Sequence, residues 1–123
     1  MTQVMMFNIE GKKSINIKMI CHKLNIMASE IDKELYNSTI ESILKDCPNK
    51  SGADSFSDEM LLLVDFNNVM LDIFLSQLKQ KKSRVDLKAV LTETNKSFTP
   101  CELYKELCAE REAILNGSAA HPT

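Results

Sequence analysis

Short apolar runs alternate with longer segments of helical period along this chain, in the order strand, helix, strand, helix, on both sides of a polar central loop. This alternation is typical of sheets whose strands are connected by helices. We therefore predict an α/β fold, a single small domain over residues 1–117 with about four strands in a parallel or mixed sheet and about four helices. Residues 118–123 are expected to form a tail. The halves share element order without a repeated motif, which is a weak indication of duplication.

The first half is predicted to contain two strands and two helices. Val4–Ile9 is a β-type run that ends at the turn residue Gly11. Ser14 is the expected cap of a helix whose apolar residues recur at spacings of three and four. The buried side of this helix is predicted to consist of Ile17, Ile20, Cys21 and Leu24. Ile26–Ile31 is a second strand candidate, and a short helix follows that must end before Pro48. That helix is marked by Leu35, Ile40, Ile43 and Leu44.

Residues 46–59 are dense in turn-forming residues and predict a flexible central loop. Met60–Phe66 is continuously apolar, as expected for a strand that is covered on both faces. Asn68 is the expected cap of the next helix. The buried side of that helix is predicted to consist of Met70, Ile73, Phe74 and Leu78. Leu87–Leu91 then predicts a short central strand.

The last helix has the clearest start signals in the chain. Thr99 is a capping threonine, Pro100 occupies the first helical position, and Glu102 is placed to complete a capping box. The buried stripe of this helix is predicted to consist of Leu103, Leu107 and Ile114. Asn116 and Gly117 supply its end. The glutamates that share one helical face, Glu102, Glu106 and Glu110, are expected to be solvated.

Composition narrows the classes of function. Apolar residues make up 44% of the chain and charged residues 26%, which is typical of a folded globular protein. The net charge of -2 creates no overall positive field, so we expect no nucleic-acid partner. The longest apolar run, Met60–Val64, is too short to cross a bilayer, so we expect no membrane span. The N-terminus lacks the pattern of a secretory signal, which favours a cytoplasmic protein.

The four cysteines, Cys21, Cys47, Cys101 and Cys108, match no zinc or redox spacing, and His22 has no spaced partner ligand. We therefore expect reduced, buried cysteines, no metal site and no cofactor. A secreted helical bundle of cytokine type, with its cysteines paired, is the alternative that this count leaves open.

A binding site is expected in the polar segment Thr92–Thr99, between the last predicted strand and the last helix. In open α/β sheets, ligands bind beyond the carboxyl ends of strands, where loops meet helix N-termini. Hydroxyls, an amide, a lysine and free backbone N–H groups in this segment suit an anion or the polar edge of a partner. The candidate binding residues are Lys88, Thr92, Thr94, Asn95, Lys96 and Thr99. The competing interpretation is that Thr92, Asn95 and Thr99 make only turn and cap hydrogen bonds.

The stretch from Leu87 to Thr99, with the glutamate-rich helix that follows, resembles a bacterial family known as domain of unknown function 3783. The pattern of that family runs K-A-V-x-T-x-T-N-x-x-W-T and continues into an amphipathic helix. The matching residues are Lys88, Ala89, Thr92, Thr94, Asn95 and Thr99, while Phe98 stands where tryptophan is usual. The resemblance covers about Met60 to Glu112. It implies a bacterial cytoplasmic protein and no known activity, cofactor or catalytic residue.

No nucleophile elbow, P-loop, dinucleotide fingerprint or zinc-protease motif occurs in the chain. This favours a non-catalytic module that binds a protein partner or a small anionic ligand through the Thr92–Thr99 loop. A small enzyme acting on an anionic metabolite, with Lys88, Thr92 and Asn95 around the substrate, is the alternative. The sequence leaves the oligomeric state open.

Overall fold

A computed structural model of the chain describes residues 1–115. The predicted tail at residues 118–123 therefore lies outside the described residues. The elements in chain order are β1 Gln3–Phe7, α1 Gly11–Lys23, β2 Met27–Glu30, a 3-10 turn Lys33–Leu35, α2 Ile40–Leu44, β3 Met60–Val64, α3 Asn68–Gln80, β4 Leu87–Val90, a second 3-10 turn Asn95–Ser97, and α4 Pro100–Leu115.

The four strands form one mixed sheet in the order β2-β1-β3-β4. β1 pairs with β2 in parallel and β3 pairs with β4 in parallel, whereas the two central strands pair antiparallel with Val4 opposite Leu63 and Met6 opposite Leu61. Four helices and a mixed sheet of four strands confirm the predicted α/β fold. The predicted central position of β4 is wrong, because β4 is an edge strand and Val90 is exposed. A strand of four residues is too short for periodicity to distinguish the two positions.

The chain divides into two compact units, each built from two segments. The first, here called the sheet unit, contains residues 1–32 and 57–91; the second unit contains residues 33–56 and the stretch from Thr92 onward. The sheet unit holds all four strands with α1 and α3, and the second unit holds α2, α4 and both 3-10 turns. A single domain over residues 1–117 stays a prediction.

The sheet unit has its core where α1 and α3 cover one face of β1 and β3. Alternate strand residues, Val4 and Met6 on β1 with Leu61 and Leu63 on β3, face this core, as the period of two in a strand requires. The helices contribute Ile17, Ile20, Cys21, Phe74 and Leu78. The intervening strand residues Met5, Phe7, Met60 and Leu62 are fully buried as well. Continuous apolar runs thus correspond to strands that are buried on both faces.

Two predicted helix caps and two predicted buried residues need correction. α1 begins at Gly11, which adopts the left-handed backbone, so Ser14 lies inside the helix and is no cap. The cap of α3 is Asn67 rather than Asn68, because its Oδ1 accepts the Met70 N–H at 2.8 Å. Ile73 and Ile114 were expected to be buried and are exposed. Both residues follow the apolar spacing of their helix, but the core does not cover their side chains.

The two halves share more than element order. Left-handed residues occupy equivalent turns, after each central strand and after each following helix: Asn8, Asp65, Asn25 and Lys82. Each half then continues through a 3-10 turn to a threonine, Thr39 or Thr99, that caps the next helix with its hydroxyl. These turns and caps strengthen the indication of an internal structural repeat.

All four cysteines are free thiols. Cys21 and Cys101 are buried, and burial raises the pKa of the Cys21 thiol to about 11. Cys47 is exposed, which corrects the expectation that every cysteine is buried. Neither the strands nor the free thiols fit the secreted helical bundle with paired cysteines that the count of four had left open.

Candidate functional site

The loop predicted as a binding site folds into a turn that is held by its own side chains. The Thr92 N–H donates to Asn95 Oδ1 at 2.8 Å, and the Asn95 N–H donates to Thr92 Oγ1 at 3.1 Å. The Lys96 N–H donates to the Thr92 carbonyl, which closes the turn. Thr94 contributes its carbonyl, which accepts the Ser97 hydroxyl. Thr92 and Asn95 therefore make the turn hydrogen bonds that the competing interpretation of this segment expected.

The start of α4 confirms the predicted capping box. The Thr99 N–H donates to Glu102 Oε1 at 2.8 Å, and the Glu102 N–H donates to Thr99 Oγ1 at 3.1 Å. The Cys101 N–H donates to the Tyr36 carbonyl, the Leu103 N–H donates to the Thr99 carbonyl, and Pro100 has no N–H. The first-turn N–H groups are thus engaged, which corrects the expectation that they are free to bind an anion.

Removing this capping box has a measurable expected effect on stability. Thr99→Ala should lower the free energy of unfolding by about 1 kcal/mol, because the Glu102 N–H loses its acceptor. Urea denaturation followed by circular dichroism measures the change. Thr94→Ala is the matched control, since Thr94 precedes a 3-10 turn without a side-chain cap hydrogen bond. Equal losses in the two variants would contradict a capping role for Thr99.

Lys96 is part of a surface network of ion pairs. Its Nζ lies 3.0 Å from Glu93 Oε1 and 3.9 Å from Glu41 Oε2, and Glu41 also pairs with Lys45 at 3.6 Å. The hydrogen bond to Glu93, with the charges of Glu93 and Glu41, raises the pKa of the Lys96 ammonium. Two carboxylates already offset this charge, so Lys96 carries little spare attraction for a small anion.

Lys88 lies on β4 and belongs to the sheet unit, whereas the other five candidate residues belong to the second unit. Its ammonium donates to the Val85 carbonyl. Partial burial, together with the nearby Arg84 charge, lowers the pKa of Lys88. Hydrogen bonds join Thr92 to Asn95 and to Lys96, and they join Thr99 to Glu102, which was not a candidate. The binding role of the six residues stays a prediction.

No sequence signal marks a stacked aromatic cluster in the second unit. Phe56 stacks between Tyr36 and Tyr104, with ring centroids 4.8 and 4.5 Å apart. Beside it, buried Asn37 donates from Nδ2 to the Asp54 carbonyl at 2.7 Å and accepts the Asp54 N–H at 3.1 Å through Oδ1. These contacts tie residues 54–56 of the central loop to the second unit. Phe56 follows eight residues of turn-forming composition, so no periodicity marks it.

A surface that the sequence interpretation overlooked lies on the outer side of α1. Ile15 and Met19, four residues apart, are 58% and 60% exposed and lie opposite buried Ile17. α1 contains four lysines and no acidic residue. The i and i+4 spacing of two exposed apolar residues on a basic helix could have been recognised from the sequence.

The end of α3 lies beside the start of α1. Lys13 Nζ donates to the Arg84 carbonyl at 3.0 Å, and Asn16 Nδ2 donates to Ser83 Oγ at 3.1 Å. Residues 73–84 contain no acidic side chain. We use the name basic helix face for exposed residues of α1 and of the end of α3 with the turn after it, which are Lys12, Ile15, Met19, Lys23, Lys79, Lys81, Lys82 and Arg84. Exposed Val69 and Ile73 lie nearer the start of α3.

Residues 1–115 contain no group of three or more histidine, cysteine or acidic residues placed to hold a metal ion. In the same part of the chain, none of the helices combines the length and the apolar character needed to span a membrane.

Comparison with known proteins finds one match. No curated protein and no solved structure matches the chain. Residues 59–114, which run from just before β3 to near the end of α4, match the model of a family described as Domain of unknown function (DUF3783). The matched stretch lies in the second half of the chain, and the predicted resemblance is thereby confirmed: over its second half, this chain is similar to the DUF3783 family.

Proposed function

We propose that this chain is a non-catalytic protein-interaction module that binds a partner protein through the basic helix face. The observation that carries the proposal is the exposed pair Ile15 and Met19 on a helix without an acidic residue. Of its four lysines, Lys13 and Lys18 pair with Glu59 and Glu30, which leaves Lys12 and Lys23 to meet a partner. Exposed apolar side chains surrounded by charge are typical of surfaces that a partner covers. The bacterial cytoplasm, which the family resemblance implies, is the proposed setting.

The chemistry of the face favours a protein over other anionic partners. Single-stranded nucleic acids stack on aromatic side chains, and helices that lie on membranes insert tryptophan, phenylalanine or leucine. The basic helix face contains isoleucine and methionine and none of these residues. Aliphatic anchors within a ring of lysines suit an acidic protein surface with apolar residues of its own.

The Thr92–Thr99 loop is the second contact surface in this proposal. Glu93 and Thr94 are exposed on a turn that is already held by the hydrogen bonds between Thr92 and Asn95. Such a turn is preorganised and can meet the polar edge of a protein with little loss of conformational entropy. The alternative of a small enzyme placed Lys88, Thr92 and Asn95 around an anionic substrate. The Thr92 and Asn95 side chains accept hydrogen bonds within the turn, and the Lys88 ammonium donates to the Val85 carbonyl, so the interaction module remains the proposal.

Affinity capture from a bacterial lysate, with quantitative mass spectrometry, tests the proposal. The bait is the full chain as wild type, as Ile15→Ser with Met19→Ser, and as Glu93→Ala with Lys96→Ala. We expect the helix variant to lose partners that the wild type retains, while an unchanged circular dichroism spectrum shows that it is folded. A partner lost only by the loop variant would move the main surface to Thr92–Thr99. Equal capture by all three baits would overturn the proposal.

A further inference from the structure

The exposed side of α4 carries the charge opposite to that of the basic helix face. Glu106 and Glu110 are exposed, and Ile114 continues their spacing of four and is 64% exposed. At 3.6 residues per turn, side chains four apart lie on one side of a helix. α4 thus presents an acidic stripe that ends in an apolar side chain, here called the acidic stripe and defined by Glu106, Glu110 and Ile114.

In the described part of one copy, the charges that define these two surfaces form few ion pairs. Among residues 1–115, Lys12, Lys23, Lys81 and Lys82 form no ion pair, and neither do Glu106 and Glu110. The basic helix face combines lysines with the exposed pair Ile15 and Met19, and the acidic stripe combines glutamates with exposed Ile114. The two surfaces are therefore complementary in charge, and each has an apolar contact to offer.

We infer that the chain binds a second copy of itself, with the acidic stripe of one copy on the basic helix face of the other. This inference rests on the proposed function, because it names the partner of the same face. Opposite charges at the rim increase the association rate and set the orientation, while burial of Ile114 against Ile15 and Met19 removes apolar surface from water. Contact between two different surfaces leaves one of each unoccupied, so association continues into chains unless the geometry closes it.

The salt dependence of self-association distinguishes this charged contact from a purely apolar one. Exposed charges are screened over about 10 Å at 0.1 M ionic strength and over about 3 Å at 1 M. Self-association is therefore expected to weaken at least tenfold between 50 mM and 500 mM sodium chloride. Analytical ultracentrifugation of the full chain over a range of concentrations measures the association constant.

Charge reversal on either side tests which surfaces meet. Lys12→Glu with Lys81→Glu makes the basic helix face acidic, and Glu106→Lys with Glu110→Lys makes the acidic stripe basic. Each variant alone is expected to self-associate at least tenfold more weakly than the wild type. An equal mixture of the two is expected to associate again, because each variant carries a surface complementary to one on the other. Lys33→Glu with Lys50→Glu is the control, since it makes the same charge change at exposed positions of the second unit.

The outcomes distinguish this inference from the proposed function. A wild type that sediments as a monomer at every concentration, or a mixture of variants that does not associate, overturns the second copy as partner. If the Lys12→Glu, Lys81→Glu variant nevertheless loses captured proteins that the wild type retains, the basic helix face binds a different acidic protein and the proposed function stands. If neither charge reversal weakens self-association, the contact is made by other surfaces, and the inference is overturned.

Discussion

Phe56→Ala is expected to lower the free energy of unfolding by about 3–5 kcal/mol, as measured by urea denaturation of the full chain. Phe56 is buried between the rings of Tyr36 and Tyr104, at centroid distances of 4.8 and 4.5 Å. Alanine removes the ring from both contacts and leaves a cavity between two side chains that can close it only in part. Since small domains are stable by about 5–15 kcal/mol in total, this is a large share.

Phe56→Leu is the matched control for this prediction. Leucine retains most of the buried apolar volume and loses only the two ring contacts, which are worth about 0.5–1.5 kcal/mol each. The leucine variant is therefore expected to lie between the wild type and the alanine variant. A loss below about 1 kcal/mol for Phe56→Ala would mean that residues 54–56 contribute little to the folded state, as expected for a flexible central loop.

The element order could be predicted because the strands and helices of this chain differ in hydrophobic period. Met60–Val64 is apolar without interruption and is a central strand with both faces buried. Thr99, Pro100 and Glu102 place the start of α4, because each residue type acts locally there, through a hydroxyl, a missing N–H and a carboxylate. Local signals of this kind need no knowledge of tertiary structure.

The wrong predictions concern properties that tertiary structure decides. Whether β4 lies at the centre or the edge of the sheet depends on strand order, which the four residues of the strand do not encode. Ile114 follows the apolar spacing of α4 but lies in the last turn, where it is exposed. For Phe56, the sequence and the structure differ in the other direction, because this residue is buried although its sequence neighbours are turn-forming residues. In each case burial depends on residues far away in the chain.

The candidate site shows the same limit for polar residues. Threonine, asparagine and serine hydrogen-bond to nearby backbone in turns and caps, and the same groups bind ligands. In the Thr92–Thr99 segment, the Thr92 and Asn95 side chains bond to each other's backbone N–H, and Thr99 bonds to the backbone of Glu102. Residue type and position alone could not distinguish these roles. The basic helix face was overlooked for a related reason, because the net charge of -2 hides a strongly basic helix.

The family match covers only one of the two halves that share the same order of elements. The matched residues 59–114 belong to the second half, while the first half provides β1, the antiparallel neighbour of β3. β3 is a central strand only because β1 pairs with it. The first half of the chain therefore supplies the strands that extend the sheet beyond the family-matched half. Equivalent left-handed turns at Asn8 and Asp65 indicate that similar backbones build both halves.

Phe74→Ala is expected to destabilise the chain by a similar amount, about 3–5 kcal/mol, and it tests whether residues 1–117 fold as the predicted single domain. Phe74 is fully buried in the core of the sheet unit and packs against Phe66 at a centroid distance of 5.5 Å. Phe74→Leu, which retains apolar volume, should cost less than about 1.5 kcal/mol. A loss for the alanine variant no greater than that of the leucine variant would contradict the core position of Phe74.

The two tyrosines make this variant informative about cooperativity. Tyr36 and Tyr104 are the only tyrosines in the chain, tryptophan is absent, and both tyrosines stack on Phe56 in the second unit. Tyrosine fluorescence therefore reports the second unit, whereas Phe74 lies in the sheet unit. In a single cooperative domain, Phe74→Ala shifts the tyrosine transition and the circular dichroism transition to the same lower urea concentration. If the circular dichroism transition shifts while the tyrosine transition stays in place, the two units unfold separately and the single-domain prediction is wrong.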